Sequence, residues 1–160
     1  MTNTMEAPIQ LSFPLPRSLG TRVYLHLTVK PKAIVLFLTT ASPEEASTPT
    51  PFGSFVYALP DRYNPSQPLS TPLCTVEPTV EFTTRVAKAI AKRAGRPVYV
   101  GNSISLASMG LGGTAEEEME ALAKVVEVVM GQLKPLLGNG PAVEGAQQAF
   151  SAEGARAEAS

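Results

Sequence analysis

From Ala33 to Leu38 the chain reads AIVLFL, without one polar side chain, and Phe55–Leu59 (FVYAL) repeats that composition. A β-strand turns successive side chains to opposite faces. Strands of this kind are apolar on both faces, whereas a sheet that meets water on one side alternates apolar with polar. Every face built from them has to be covered. The chain shows only two stretches of strong helical periodicity, enough to cover one face, so the second face is expected to need another cover.

The first periodic stretch, Ile9–Leu15, sets Ile9, Leu11, Phe13 and Leu15 against Gln10, Ser12 and Pro14. Pro14 restricts it to an edge strand or a strand end. Arg22–Val29 and Ala33–Thr40, rich in β-branched and aromatic residues and joined at Lys30-Pro31-Lys32, are predicted to form a hairpin. In the register that follows from a four-residue loop, Val29 faces Ile34, Leu27 faces Leu36 and Leu25 faces Leu38. One face is then wholly aliphatic, and the other gathers Tyr24, His26 and Thr28 with Val35, Phe37 and Thr39.

Residues 41–53 are rich in Pro, Ser, Thr and Glu, the signature of a disordered surface insertion. Strand 54–59 follows, then a proline-flanked turn around Asp61 and a short strand near Pro72–Val76. A helix is predicted over about Thr79–Ala94, with Pro78 in its first turn and Gly95 as its stop. Phe82, Val86, Ala89, Ile90 and Arg93 recur along it at helical spacing. Pro97–Val100 is expected to be a short buried strand and Ser105–Gly113 a flexible loop. Thr114 and Glu117 form a capping box for a second helix, with a stripe of Met119, Leu122, Val126, Val129 and Leu133. These elements predict an α+β fold: an antiparallel sheet of about six strands with two main helices packed on one face. The expected organisation is a flexible N-terminus over 1–8, one domain over 9–137, and a disordered tail over 138–160.

At 160 residues, 44% of them hydrophobic, the chain suits a single domain. A net charge of −1 provides no long-range pull toward nucleic acid or an anionic membrane. No run approaches the length of a membrane span, and MTNTMEAPIQ lacks the pattern of a secretion signal. With Cys74 alone there is no internal disulfide, which suits a reducing compartment. A cytoplasmic protein, also able to reside in the nucleus, is the expectation.

Residues able to do chemistry are few: one His (His26), one Cys (Cys74) and one Asp (Asp61). A Cys–His nucleophile needs close mutual geometry and a third orienting group, and a metal site needs three or more clustered ligands. No catalytic, metal or cofactor site is expected. Gly110-Leu111-Gly112-Gly113-Thr114 precedes a helix, as a phosphate cradle does. It lacks the Lys-Ser/Thr of a P-loop and leads into three glutamates, so a connecting loop is the better reading. Arg85, Lys88 and Lys92 share one helical face. They form either a solvated face or a docking strip for an acidic protein partner, and the lack of interleaved aromatics disfavours nucleic acid.

The run Ser54–Ile104 resembles the proteasome assembly chaperone 4 family. The likeness is carried by an apolar strand leading into Arg62-Tyr63, and by Pro68-Leu69-Ser70-Thr71 ahead of a short strand. It continues in the helical Val86-Ala87-Lys88-Ala89-Ile90-Ala91-Lys92, in Arg96-Pro97-Val98-Tyr99-Val100 and in Asn102. The hairpin over 22–40 and the final helix from Glu116 fit the same layout. The chain departs from the family in the 41–53 insertion, in its long tail and in Asn64, where an acidic residue is usual.

The resemblance implies a non-enzymatic 20S proteasome assembly chaperone. It implies a heterodimer with a proteasome assembly chaperone 3-like protein, and joint binding of an α-type subunit (alpha-type 5 in the best-known cases) to order the α-ring. Because aromatic residues are favoured at interfaces, Tyr24, His26, Phe37 and Tyr57 are the expected pairing residues. Arg62 and Tyr63 are the loop candidates for the α-subunit contact. Ordinary core or turn duty is the alternative for each. Two other functions fit the sequence: a scaffold or adaptor domain in a different complex, and a nucleotide-binding protein using Gly110–Thr114.

Overall fold

The computed structural model describes residues 7–16, 18–41, 52–104 and 114–137. The expectations placed on 1–6, on most of the 41–53 insertion, on the 105–113 loop and on the 138–160 tail fall outside those residues. The elements run β1 (Ile9–Leu15), β2 (Ser18–Val29), β3 (Ile34–Ala41), β4 (Ser54–Leu59), β5 (Leu69–Cys74), α1 (Glu77–Ala94), β6 (Val98–Asn102) and α2 (Ala115–Leu137). The six strands form one sheet in the order β1-β2-β3-β6-β4-β5. This is the expected α+β fold.

The β2–β3 hairpin has the predicted register, with Val29 opposite Ile34, Leu27 opposite Leu36 and Leu25 opposite Leu38. Aliphatic alternation fixes it, because a slip of one residue would turn all of these side chains to the other face. One pairing departs from the antiparallel expectation: β6 returns from α1 between β3 and β4 and runs parallel to β3. A parallel neighbour requires a crossover connection, and α1 provides it. The short strand expected near Pro72–Val76 begins earlier, at Leu69, and Pro72 is accommodated on a sheet edge.

Both helices lie over the face that carries Val23, Leu25, Leu27, Leu36, Val56 and Val100, and their buried residues join that core. α1 buries Phe82, Val86, Ala87, Ile90 and Ala91. Ala89 sits at the margin of that stripe and Arg93 is exposed, so the inward stripe lies slightly to one side of the predicted one. The end of α1 is as expected: Gly95 takes φ 64° and its N–H donates to the Ala91 carbonyl at 2.9 Å. Thr114 caps α2 through the Glu117 N–H at 3.3 Å. The stripe of α2 is rotated from the predicted one: Ala121, Val125, Val126, Val129 and Leu133 are buried, while Met119 is 65% exposed. Valines and methionine surround much of this helix, so several stripes fit the pattern, and packing against α1 selects one.

A buried polar staple fastens the start of α1 to the sheet. The Ser54 hydroxyl accepts the Val76 N–H at 2.9 Å and shares a 2.7 Å hydrogen bond with the Thr79 hydroxyl. One turn on, the Thr83 hydroxyl donates to the Thr79 carbonyl and accepts from Asn102 Nδ2 at 3.1 Å. Asn102 Oδ1 then accepts the Ile104 N–H at 2.9 Å. Buried polar groups cost free energy unless paired, and these are paired across β4, β6 and α1.

Candidate functional site

The face turned away from the helices is organised around β6. Gly101 is opposite Phe37 on β3 and Phe55 on β4. The two phenyl rings lie nearly parallel over it, at 8° with centroids 6.3 Å apart. A Cβ at position 101 would come within 2.7 Å of the Phe37 ring and 3.3 Å of Phe52, so glycine here makes room for the aromatic layer. Phe52 closes on both rings, with centroids 5.6 Å from Phe37 and 5.5 Å from Phe55. The next residue, Gly53, allows that approach: it takes φ 74°, and a side chain there would collide with the Asn102 carbonyl.

The layer continues in both directions. Tyr99 stacks on Phe55 at 6.0 Å and meets Tyr57 at 4.7 Å. On the other side His26 meets Phe37 edge-on at 6.3 Å, as their cross-strand register requires. Such offset and edge-on pairs each add roughly 0.5–1.5 kcal/mol beyond burial. Toward β1 the face becomes polar. Arg22 donates to the Ser12 hydroxyl at 3.0 Å; nearer the middle of the sheet, just past β6, the Ser103 hydroxyl donates to that of Thr39 on β3 at 2.9 Å. Between rim and layer lies a cavity of about 340 Å³ bordered by Gln10, Tyr24, His26, Phe37 and Phe52. No described helix or strand lies over this face.

Of the six residues singled out from the sequence, Tyr24, His26, Phe37 and Tyr57 share this face. Tyr24 is 40% exposed and the other three are half-buried. Arg62 and Tyr63 stand apart in the β4–β5 turn, with Tyr63 fully exposed and its N–H held by Asp61 Oδ1 at 2.9 Å. Sequence reasoning missed Phe52, Phe55, Tyr99 and the role of Gly101. Phe52 was absorbed into the compositional insertion. Phe55 and Tyr99 follow from alternation along β4 and β6 once the strand order is known.

The structure does not bring His26 and Cys74 together. They lie on β2 and β5, four strands apart in the sheet, or about 19 Å at the usual strand spacing. Among the described residues no group of three or more His, Cys, Asp and Glu could hold a metal ion. No described helix is long and apolar enough to cross a membrane. The expected basic strip is divided: Arg85 pairs with Glu81 at 2.7 Å and with Glu118 on α2 at 3.2 Å. Lys88 and Lys92 are exposed.

Comparison with solved structures shows the same fold in a chain from the crystal structure of a chaperone complex for yeast 20S proteasome assembly. The TM-score is 0.52 at 18% identity, covering 81% of this chain and 96% of that one. No curated protein matches. The model of the proteasome assembly chaperone 4 family matches residues 22–104, from the start of the hairpin through β6 and the polar staple. That span is more than half of the sequence and contains the aromatic layer with the strands that carry it, so the chain belongs to the proteasome assembly chaperone 4 family.

Proposed function

We propose that this chain is one half of a two-chain proteasome assembly chaperone, and that it pairs through the open face of its sheet with a chaperone 3-like protein. The observation that carries this reading is the aromatic layer from His26 through Phe37, Phe52, Phe55 and Tyr99 to Tyr57, flanked by polar residues toward β1. Interfaces have this anatomy, an apolar aromatic centre within a polar rim, and a stable pair buries about 800 Å² on each partner. The family supports the proteasome as the client. The pair then holds an α-type subunit, alpha-type 5 by family likeness, with Arg62 and Tyr63 in the β4–β5 turn as the contact on this chain. It acts by binding alone, in the cytoplasm and nucleus, where the α-ring is put in order.

Affinity capture of the tagged chain from its own cells, followed by mass spectrometry, tests the reading. The expected result is recovery of a chaperone 3-like protein together with an α-type proteasome subunit. Carrying Tyr57→Asp should lose both, and carrying Tyr63→Ala should lose the α subunit alone. Recovery of an unrelated complex without proteasome subunits would make the chain an adaptor and overturn the proposal.

A further inference from the structure

A second surface lies away from the open face, where the flank of α1 meets the start of β5. Lys88 and Lys92 form one wall of a groove of about 510 Å³, and Ser66, Gln67, Pro68 and Leu69 form the other. The cations of α1 other than Lys88 have evident partners or duties. Arg85 is held by Glu81 and Glu118, while Lys92 and Arg93 in the last turn complement the helix dipole. Lys88 has neither reason. It sits one turn before Lys92, and like charges at that spacing destabilise a helix. Neither lysine has a carboxylate within ion-pair distance among the described residues. Across the groove Leu69 is 57% exposed beside Pro68.

We infer that this groove docks an extended segment of another polypeptide in which acidic and aliphatic residues alternate. The chemistry follows from the two walls. Side chains one helical turn apart stand about 6 Å from each other, and alternate residues of an extended chain are spaced about 6.6 Å. Acidic residues at i and i+2 therefore meet Lys88 and Lys92 together, while the aliphatic residue between them turns to Leu69 and Pro68. Two exposed ion pairs are individually weak, so the segment binds weakly and reversibly, and salt weakens it further. The surface does not use the aromatic layer, so it remains available when the open face is occupied.

Amide chemical shifts of the full-length protein, titrated with an acetylated peptide in which Glu and Leu alternate, read this directly. Shifts are expected at residues 66–69 and 88–92, with binding weakened several-fold between about 50 and about 300 mM salt. The K88E/K92E variant should lose the response at least tenfold, and K88Q/K92Q, which removes charge without reversing it, should lose most of it. A peptide of the same composition with paired rather than alternating glutamates should bind less well. A Tyr57→Asp variant should bind the peptide unchanged, which separates this inference from pairing through the open face. Shifts spread over other basic residues would overturn it. So would an undiminished response in the lysine variants, equal binding of the two peptides, or a stronger response to an oligothymidylate at the same residues.

Discussion

The two faces of this one sheet are built from different chemistry. Against the helices the strands present aliphatic side chains, among them Val23, Leu27, Ile34, Leu36, Val56, Val98 and Val100, all fully buried. On the opposite side the same strands present Tyr24, His26, Phe37, Phe55, Tyr57 and Tyr99, which stay partly exposed. Branched aliphatic residues interdigitate to interior density and have no polar atom to satisfy. Tyrosine and histidine combine a large apolar body with a polar tip, which suits a surface that is wet in one state and covered in another. The contrast separates a face closed by the chain itself from one suited to a second chain.

Substitutions can break or sharpen that contrast. Leu36→Ala, on the covered face, should cost about 2–5 kcal/mol in urea denaturation, because it leaves a cavity in the core that the sheet shares with the helices. A loss below about 1 kcal/mol would mean that the core does not extend under β3. Tyr57→Ala, on the open face, should weaken association with the proposed chaperone partner by at least about 2 kcal/mol, roughly thirtyfold. In the isolated chain it should lower stability by much less than Leu36→Ala, and equal effects on both quantities would erase the distinction between faces. Asn102→Ala removes the acceptor of the Ile104 N–H and the donor to Thr83, at an expected cost of about 1–3 kcal/mol. Arg85→Ala deletes two exposed ion pairs and should change stability by less than about 1 kcal/mol.

The hairpin was legible to the residue because its aliphatic positions alternate without a break, and a shifted register would have buried Tyr24, His26 and Thr28 in place of leucines. The caps were legible because Gly95 and Thr114 act locally. The place of β6 between β3 and β4 was not, since strand order depends on contacts distant in sequence. With that order unknown, nothing singled out Gly101, one residue past the predicted strand Pro97–Val100, although Phe37 and Phe55 meet over it. Phe52 was hidden by its neighbours, being the one aromatic in a stretch dominated by Pro, Ser and Thr. The stripe of α2 was ambiguous because Val125, Val126, Val128, Val129 and Met130 occupy most of its circumference.

Hydroxyl-radical footprinting of the aromatic residues, in the isolated protein and in the complex with the proposed chaperone partner, tests the two-face account most directly. In the isolated protein Tyr24 and Tyr57 should be labelled, with Tyr63 as the fully exposed reference. In the complex, Tyr24, Phe37 and Tyr57 should become protected while Phe82, already buried on the inner side of α1, stays unlabelled in both states. Labelling of Tyr24 and Tyr57 that is unchanged on complex formation would contradict the account, because the partner would then be covering some other part of the molecule.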